Sequence, residues 1–141
     1  MAHWILQGNP KYYNVTKAIG DLDEMDWLVT RYGAEIVPGD DVLVWVAGKQ
    51  SGIYAQAVVT KSARIVDVQE DMPYWREVPA KLKVTPQCRI RFVRRMVDRP
   101  ILRSDLLEDP VLKTLMVIRV PNRTNFRVTS EQWQRLQQLL S

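Results

Sequence analysis

Residues 39–59 read GDDVLVWVAGKQSGIYAQAVV, and the alternation inside them decides the architecture. From 42 to 48 both faces are apolar, with Val42, Val44 and Val46 on one side and Leu43, Trp45 and Ala47 on the other. A strand of that kind has to be covered twice, unlike the half-wet strand of a simple antiparallel sheet. It follows a Pro38-Gly39-Asp40 turn. The Lys49-Gln50-Ser51-Gly52 loop then reads as a hairpin into a second strand, in which Ile53, Ala55, Ala57 and Val59 share one face.

Outward from this pair, the chain begins with a clean strand, His3-Trp4-Ile5-Leu6-Gln7, stopped at once by Gly8-Asn9-Pro10. Proline lacks the backbone donor and biases its neighbour toward extended geometry, so a loop is forced there. Tyr12 and Tyr13 follow, and either roof a core or border a pocket. Val15, Ala18, Ile19 and Leu22 fall at i, i+3, i+4 and i+7 behind a capping Asn14, which predicts a helix over 14–22. Met25, Leu28 and Val29 would continue its stripe, leaving Trp27 on the opposite side.

Further strands are expected at 63–68, 80–84 and 89–97. Asp109-Pro110 reads as a cap followed by proline at the first helical position, opening a short helix that carries Leu112, Leu115 and Met116. Thr129-Ser130-Glu131-Gln132 fits a capping box. Trp133, Leu136 and Leu140 form one stripe behind it, so 130–140 reads as a helix packed on the rest. Several strands with a few helices around them suggest a small mixed α/β (α+β) barrel.

At 141 residues and 16.4 kDa the chain suits one domain, 1–141, with a core large enough to need neither disulfide nor metal. The single cysteine, Cys88, gives no internal disulfide and no zinc framework, and points to a reducing, cytoplasmic setting. His3 reads as a mobile surface residue beside the N-terminus. No apolar run approaches the ~20 residues that span a bilayer, so no membrane partner is expected. Charge is uneven: residues 1–60 hold four Lys/Arg against seven Asp/Glu, and 61–141 hold sixteen against nine. The basic second part is compatible with a phosphate-bearing partner.

Catalysis finds little support. Neither His3 nor Cys88 has a partner for nucleophilic chemistry, adjacent acids such as Asp40-Asp41 sit in turns, and no phosphate loop occurs. No catalytic residue, metal site or cofactor is assigned. Binding chemistry is better represented by the five tryptophans. Trp133 and Trp4 belong to the core by their periodicity, and Trp45 suits core or pocket wall equally. Trp75, in the loop EDMPYWREVP, and Trp27, aimed away from its stripe, are the candidates for a binding surface. In CRIRFVRRMVDR, Ile90, Phe92 and Met96 can turn inward while Arg89, Arg91 and Arg95 line the outside, a guanidinium row suited to phosphates. The bland alternative is a solvated face paired with acids. Exposed aromatics beside a basic strand are the combination used for unpaired bases.

Four short motifs in order, Asn9-Pro10, Gly39-Asp40, Gly52-Ile53 and Thr124-Asn125-Phe126, resemble those of an EVE domain, a PUA-like family related to the YTH readers. The resemblance spans Trp4 to Leu140 and implies a PUA-like mixed β-barrel or pseudobarrel flanked by helices, with a concave aromatic pocket. It further implies recognition of a modified base, notably modified cytosine in DNA for modification-dependent restriction, whereas YTH readers hold N6-methyladenine in RNA. The pocket would be built from Trp27 and a second aromatic, Trp75 or Trp45, with Tyr12 or Tyr13 closing one side, Asn9 or Asn125 addressing the base edge and Thr124 beside them. Arg123 would join Arg89, Arg91 and Arg95 on phosphates. Where the family pattern has Gln-Gly, this chain has Asn122-Arg123, adding bulk and charge beside the ligand. The expected partner is nucleic acid, DNA ahead of RNA, with a nuclease or nucleotide-driven motor fused or acting alongside. An RNA reader and a small-ligand or protein-interaction module are the alternatives.

Overall fold

The computed structural model describes residues 1–140 and places the double-sided strand at the centre. This strand, β3 (Asp41–Val46), pairs parallel with β1 (His3–Gly8) and antiparallel with β4 (Gly52–Arg64). On one side β7 (Asn125–Val128) adds antiparallel to β1. On the other, β5 (Gln87–Arg95) pairs with β4, and β2 (Glu24–Leu28) pairs with β5. A short β6 (Ile101–Leu102) joins the start of β4. The order is β2-β5-β4-β3-β1-β7. The fold is therefore α+β, with one curled mixed sheet that is not closed into a barrel by backbone pairing.

Each face of the central strands is covered by its own apolar cluster, as their composition requires. Trp4, Leu6, Val42, Val44 and Val46 face a cluster completed by α1 (Val15–Asp21) and by Met25, Trp27, Ile90 and Phe92. Ile5, Leu43, Trp45, Ile53 and Phe126 face a second cluster. That one is built by α2 (Arg103–Leu106), α3 (Met116–Arg119) and α4 (Ser130–Leu140). Gly52 is where the hairpin meets β6. A Cβ there would lie 2.2 Å from the Ile101 carbonyl oxygen, so only glycine lets the two backbones approach.

The capping box forms as the sequence predicts: Gln132 N donates to Thr129 Oγ1 at 3.1 Å, and Thr129 N donates to Gln132 Oε1 at 3.0 Å. Asp109 Oδ1 accepts from Val111 N and Leu112 N at 2.9 and 3.1 Å, fixing a short 3-10 turn that seats Leu112 and Leu115 in the second cluster. Other elements differ from expectation. The first helix ends at Asp21, and 24–28 is a strand, so period 2 replaces period 3.6 and Met25 and Trp27 share the buried face. Beyond Arg64 the chain leaves the ladder with β5, so 63–68 is not a separate strand. At 80–84 the i→i+3 bonds Leu82 N to Pro79 O and Val84 N to Lys81 O make turns in place of a ladder. His3 is not mobile: it lies in β1 and stacks on Trp133, with centroids 4.4 Å apart and planes within 8°.

Among the described residues the sheet edges β2 and β7 share no backbone ladder, and the Asn125 side chain joins them. Asn125, fully buried on β7, accepts through Oδ1 from Thr30 N (3.0 Å) and Arg31 N (3.2 Å), just beyond β2, and donates through Nδ2 to Arg31 O (2.5 Å). Replacing it by alanine strands two donors and an acceptor. Asn125→Ala should therefore lower stability by about 2–3 kcal/mol, read as a reduced urea midpoint at unchanged slope.

Candidate nucleic-acid interface

The seam between the sheet edges opens into a cleft of about 540 Å³, bordered by β1, β2, the loop 71–80 and Thr124. That volume is in the ~300–1,000 Å³ range of small-molecule sites. Its aromatic border comes from three places in the chain: Trp27 on β2, Tyr12 and Tyr13 after β1, and Trp75 on the long loop. Gly8 permits the arrangement. A Cβ at Gly8 would stand 2.7 Å from Val15 Cγ2 and 3.2 Å from the Trp27 ring, so a larger residue would displace the indole.

The loop that carries Trp75 is fastened by buried polar contacts. Tyr13 and Trp75 form an isolated antiparallel bridge, and their rings meet edge to face at 4.7 Å. Tyr13 OH donates to Asp71 Oδ2 at 2.7 Å, and Gln69 Nε2 donates to Asp71 Oδ1 at 2.6 Å. Burial, reinforced by the Asp71 carboxylate, holds the Tyr13 hydroxyl well above the usual phenol range, so it remains a neutral donor. Gln69 and Gln87 exchange reciprocal amide bonds at 3.0 and 2.8 Å.

Several polar groups at the cleft are unused among the described residues. Asn9 spends Oδ1 on Lys11 N at 3.0 Å, the turn-holding role, and keeps its Nδ2 donor. Gln7 donates Nε2 to the Pro121 and Arg123 carbonyls at 2.8 and 2.6 Å and keeps Oε1 as an acceptor. Trp75 Nε1 is buried without a partner. On β2, the bonds Phe92 N to Asp23 O and Val29 N to Pro86 O fix the ladder parity: Met25 and Trp27 bond to β5, and the backbone groups of Asp26 and Leu28 point away from it along the free edge.

The cleft thus brings together Trp27, Trp75, Asn9, Tyr13 and Thr124. Two expected pocket residues lie elsewhere. Trp45 is 2% exposed in the second cluster, across the sheet from the cleft, because residue 45 alternates away from Val44 and Val46. Asn125 lies behind Thr124 with its amide committed to the seam. The arginine row is likewise largely occupied. Arg89 sits among Asp26 (3.5 Å), Glu70 (3.6 Å) and Glu24 (3.8 Å). Arg95 donates to the Ile19 and Leu22 carbonyls at the end of α1, both at 2.7 Å. Arg91 is exposed and makes no ion pair among the described residues, and Arg123 is half-buried in the turn before Thr124.

Sequence reasoning missed Gln7, Asp26, Asp71 and Gln87 at the cleft. Asp71 meets Tyr13 across 58 residues of chain, a separation no local pattern reports. Asp26 hides in an apolar stretch, where Arg64 pairs with it at 2.7 Å on the face opposite Trp27.

A curled mixed sheet with helices on both faces is the PUA-like architecture. The chain belongs to the EVE domain family, whose pattern it matches over residues 2–139. Solved structures agree at low sequence identity. A Pseudomonas putida protein is 21% identical with a TM-score of 0.71, over 98% of this chain and 99% of that one. Human THYN1, solved with DNA containing 5-methylcytosine, is 15% identical with a TM-score of 0.70, over 99% and 97%. The YTH domain of Zygosaccharomyces rouxii MRB1, solved with N6-methyladenosine RNA, is 12% identical with a TM-score of 0.57, over 98% and 85%. No curated protein matches the sequence.

Two outcomes test the site's geometry. Gly8→Ala should cost about 1–3 kcal/mol by overpacking and alter tryptophan emission as the Trp27 ring moves. Cys88 is fully buried, and burial pushes its thiol up to about 12. Iodoacetamide at pH near 8 should leave it unlabelled in the native protein and label it rapidly in denaturant.

Proposed function

We propose that this chain is a reader of modified bases that binds nucleic acid without catalysis, with DNA carrying 5-methylcytosine or 5-hydroxymethylcytosine as the target. The observation that carries the reading is the cleft itself: Trp27 and Trp75 border one cavity of about 540 Å³ with unused donors and acceptors beside them. An extruded base has two faces for the rings and a polar edge for Asn9 Nδ2, Gln7 Oε1 and the free edge of β2. The family and the human neighbour solved with 5-methylcytosine DNA support this choice of ligand. Such a module would serve modification-dependent restriction beside a nuclease or nucleotide-driven motor.

The energetics constrain the selectivity. Extruding a base costs a few kcal/mol, and stacking returns about 1–3 kcal/mol, so ring contact alone nearly cancels the cost. Edge hydrogen bonds and phosphate contacts must supply the affinity. A buried methyl contributes about 0.8 kcal/mol, close to a fourfold preference. Selectivity for 5-methylcytosine over cytosine should therefore be a few-fold, with tolerance of 5-hydroxymethylcytosine.

The test is a titration of the protein with matched DNA hairpins carrying cytosine, 5-methylcytosine or 5-hydroxymethylcytosine, with N6-methyladenine RNA as competitor. The modified hairpins should bind several-fold more tightly, and Trp75→Ala, on the half-buried loop, should weaken modified and unmodified binding by tenfold or more. Equal affinity for all three hairpins, unchanged in the variant, would overturn the reading. Stronger binding to the RNA would move the target to N6-methyladenine.

A further inference from the structure

A second depression, of about 410 Å³, adjoins the aromatic cleft at Asn9, which borders both. Their charged residues have opposite signs. The cleft is bordered by Asp71 and Glu77 with no cation, the Asp26 carboxylate being turned to Arg64 on the other face, and the depression is bordered by Lys11, Lys49 and Arg76 with no acid. The cations that hold the framework are paired: Arg64 and Arg89 with Asp26, Arg127 with Glu35, Arg135 with Asp109, Lys17 with Asp21. Lys11, Lys49 and Arg76 are exposed and make no ion pair among the described residues. Asn14 borders the same depression and makes no side-chain cap bond to α1, so its amide is available too.

The backbone ties the two cavities together. Tyr12 borders the cleft and its neighbour Lys11 the depression; Trp75 borders the cleft and its neighbour Arg76 the depression. Arg76 N donates to Tyr12 O at 2.8 Å, which locks these two pairs side by side. Each pair therefore offers a ring to one cavity and a cation to the other. A base and its own phosphate, covalently linked through one sugar, present the same succession of flat ring and anion.

We propose that this depression binds a phosphodiester of the strand whose base enters the aromatic cleft, through Lys11, Lys49, Arg76 and the Asn14 amide. The proposal rests on the cleft being a base site. It replaces the β5 arginine row, whose Arg89 and Arg95 are already partnered, as the anchor for the backbone. Acids inside the cleft and cations beside it also set polarity: the phosphate is drawn to the depression and repelled from the base site.

The experiment measures binding of a 5-methylcytosine oligonucleotide across a salt series, with uncharged methylphosphonate linkages placed singly on either side of the modified base. For the native chain one of the two linkages should weaken binding several-fold and reduce the slope of log K against log salt by ~0.7–0.9, the value for one phosphate. The Lys11→Gln/Lys49→Gln variant should show that reduced slope with the all-phosphate strand and lose sensitivity to the methylphosphonate, its ratio of modified to unmodified binding unchanged. Arg91→Gln on β5 should keep the native slope. A native slope in the double variant, or an equal methylphosphonate penalty in variant and native chain, would overturn the site. A native chain that ignores the 5-methyl group, while the double variant still loses slope, would reject the base reading and leave the phosphate site standing.

Discussion

The Asn125 amide is the contact on which the cleft depends. A sheet with unpaired edges at β2 and β7 can flatten, or expose both edges to solvent and to other chains. Here one buried side chain stands in for the missing ladder, engaging both N–H groups and a carbonyl of residues 30–31. It holds the edges close without zipping them. The seam that remains is the cleft, with Trp27 on one lip and Thr124 beside the other.

The short motifs take on physical meaning in this frame. Asp40 is almost fully buried and accepts from Trp4 Nε1 at 2.9 Å, Val37 N at 3.1 Å and Ala2 N at 3.3 Å, so the Gly-Asp turn anchors the first strand to the third. Gly52 admits the β6 backbone. Asn125 ties the seam, and Phe126 fills the second cluster. Three of the four motifs thus contribute architecture. The Gly8-Asn9-Pro10 break lies on the cleft, where it ends β1, leaves room for the Trp27 ring and presents an amide, and Thr124 of the last motif borders the cleft as well.

Charge is partitioned on the same scheme. Asp71 and Glu77 border the aromatic cleft, three cations without acidic partners border the neighbouring depression, and Arg89 and Arg95 of β5 are consumed in holding β2 and α1. The net charge of +4 conceals this pattern, because it records neither which cations are paired nor which cavity each one borders. The arginine row looked like a phosphate track because its alternation is regular. Alternation places a side chain on a face and says nothing about which carboxylate or carbonyl the fold brings opposite.

The sequence by itself determined what depends on local periodicity and local capping: a central strand covered on both faces, the hairpin after it, the first break, the capping box and the α4 stripe. These follow because side-chain period and cap chemistry act over a few residues. It misjudged 24–28, where a stripe compatible with helix became a strand once β5 offered a ladder. Which aromatic residues share a cavity was decided only by the tertiary structure. Trp45 and Trp27 have similar local surroundings, yet one is sealed under α4 and the other borders the cleft, since burial at a sheet depends on what packs against each face. The same holds for Asn9 and Asn125, two motif asparagines whose uses differ because one meets solvent and the other meets two N–H groups from 94 residues and more away.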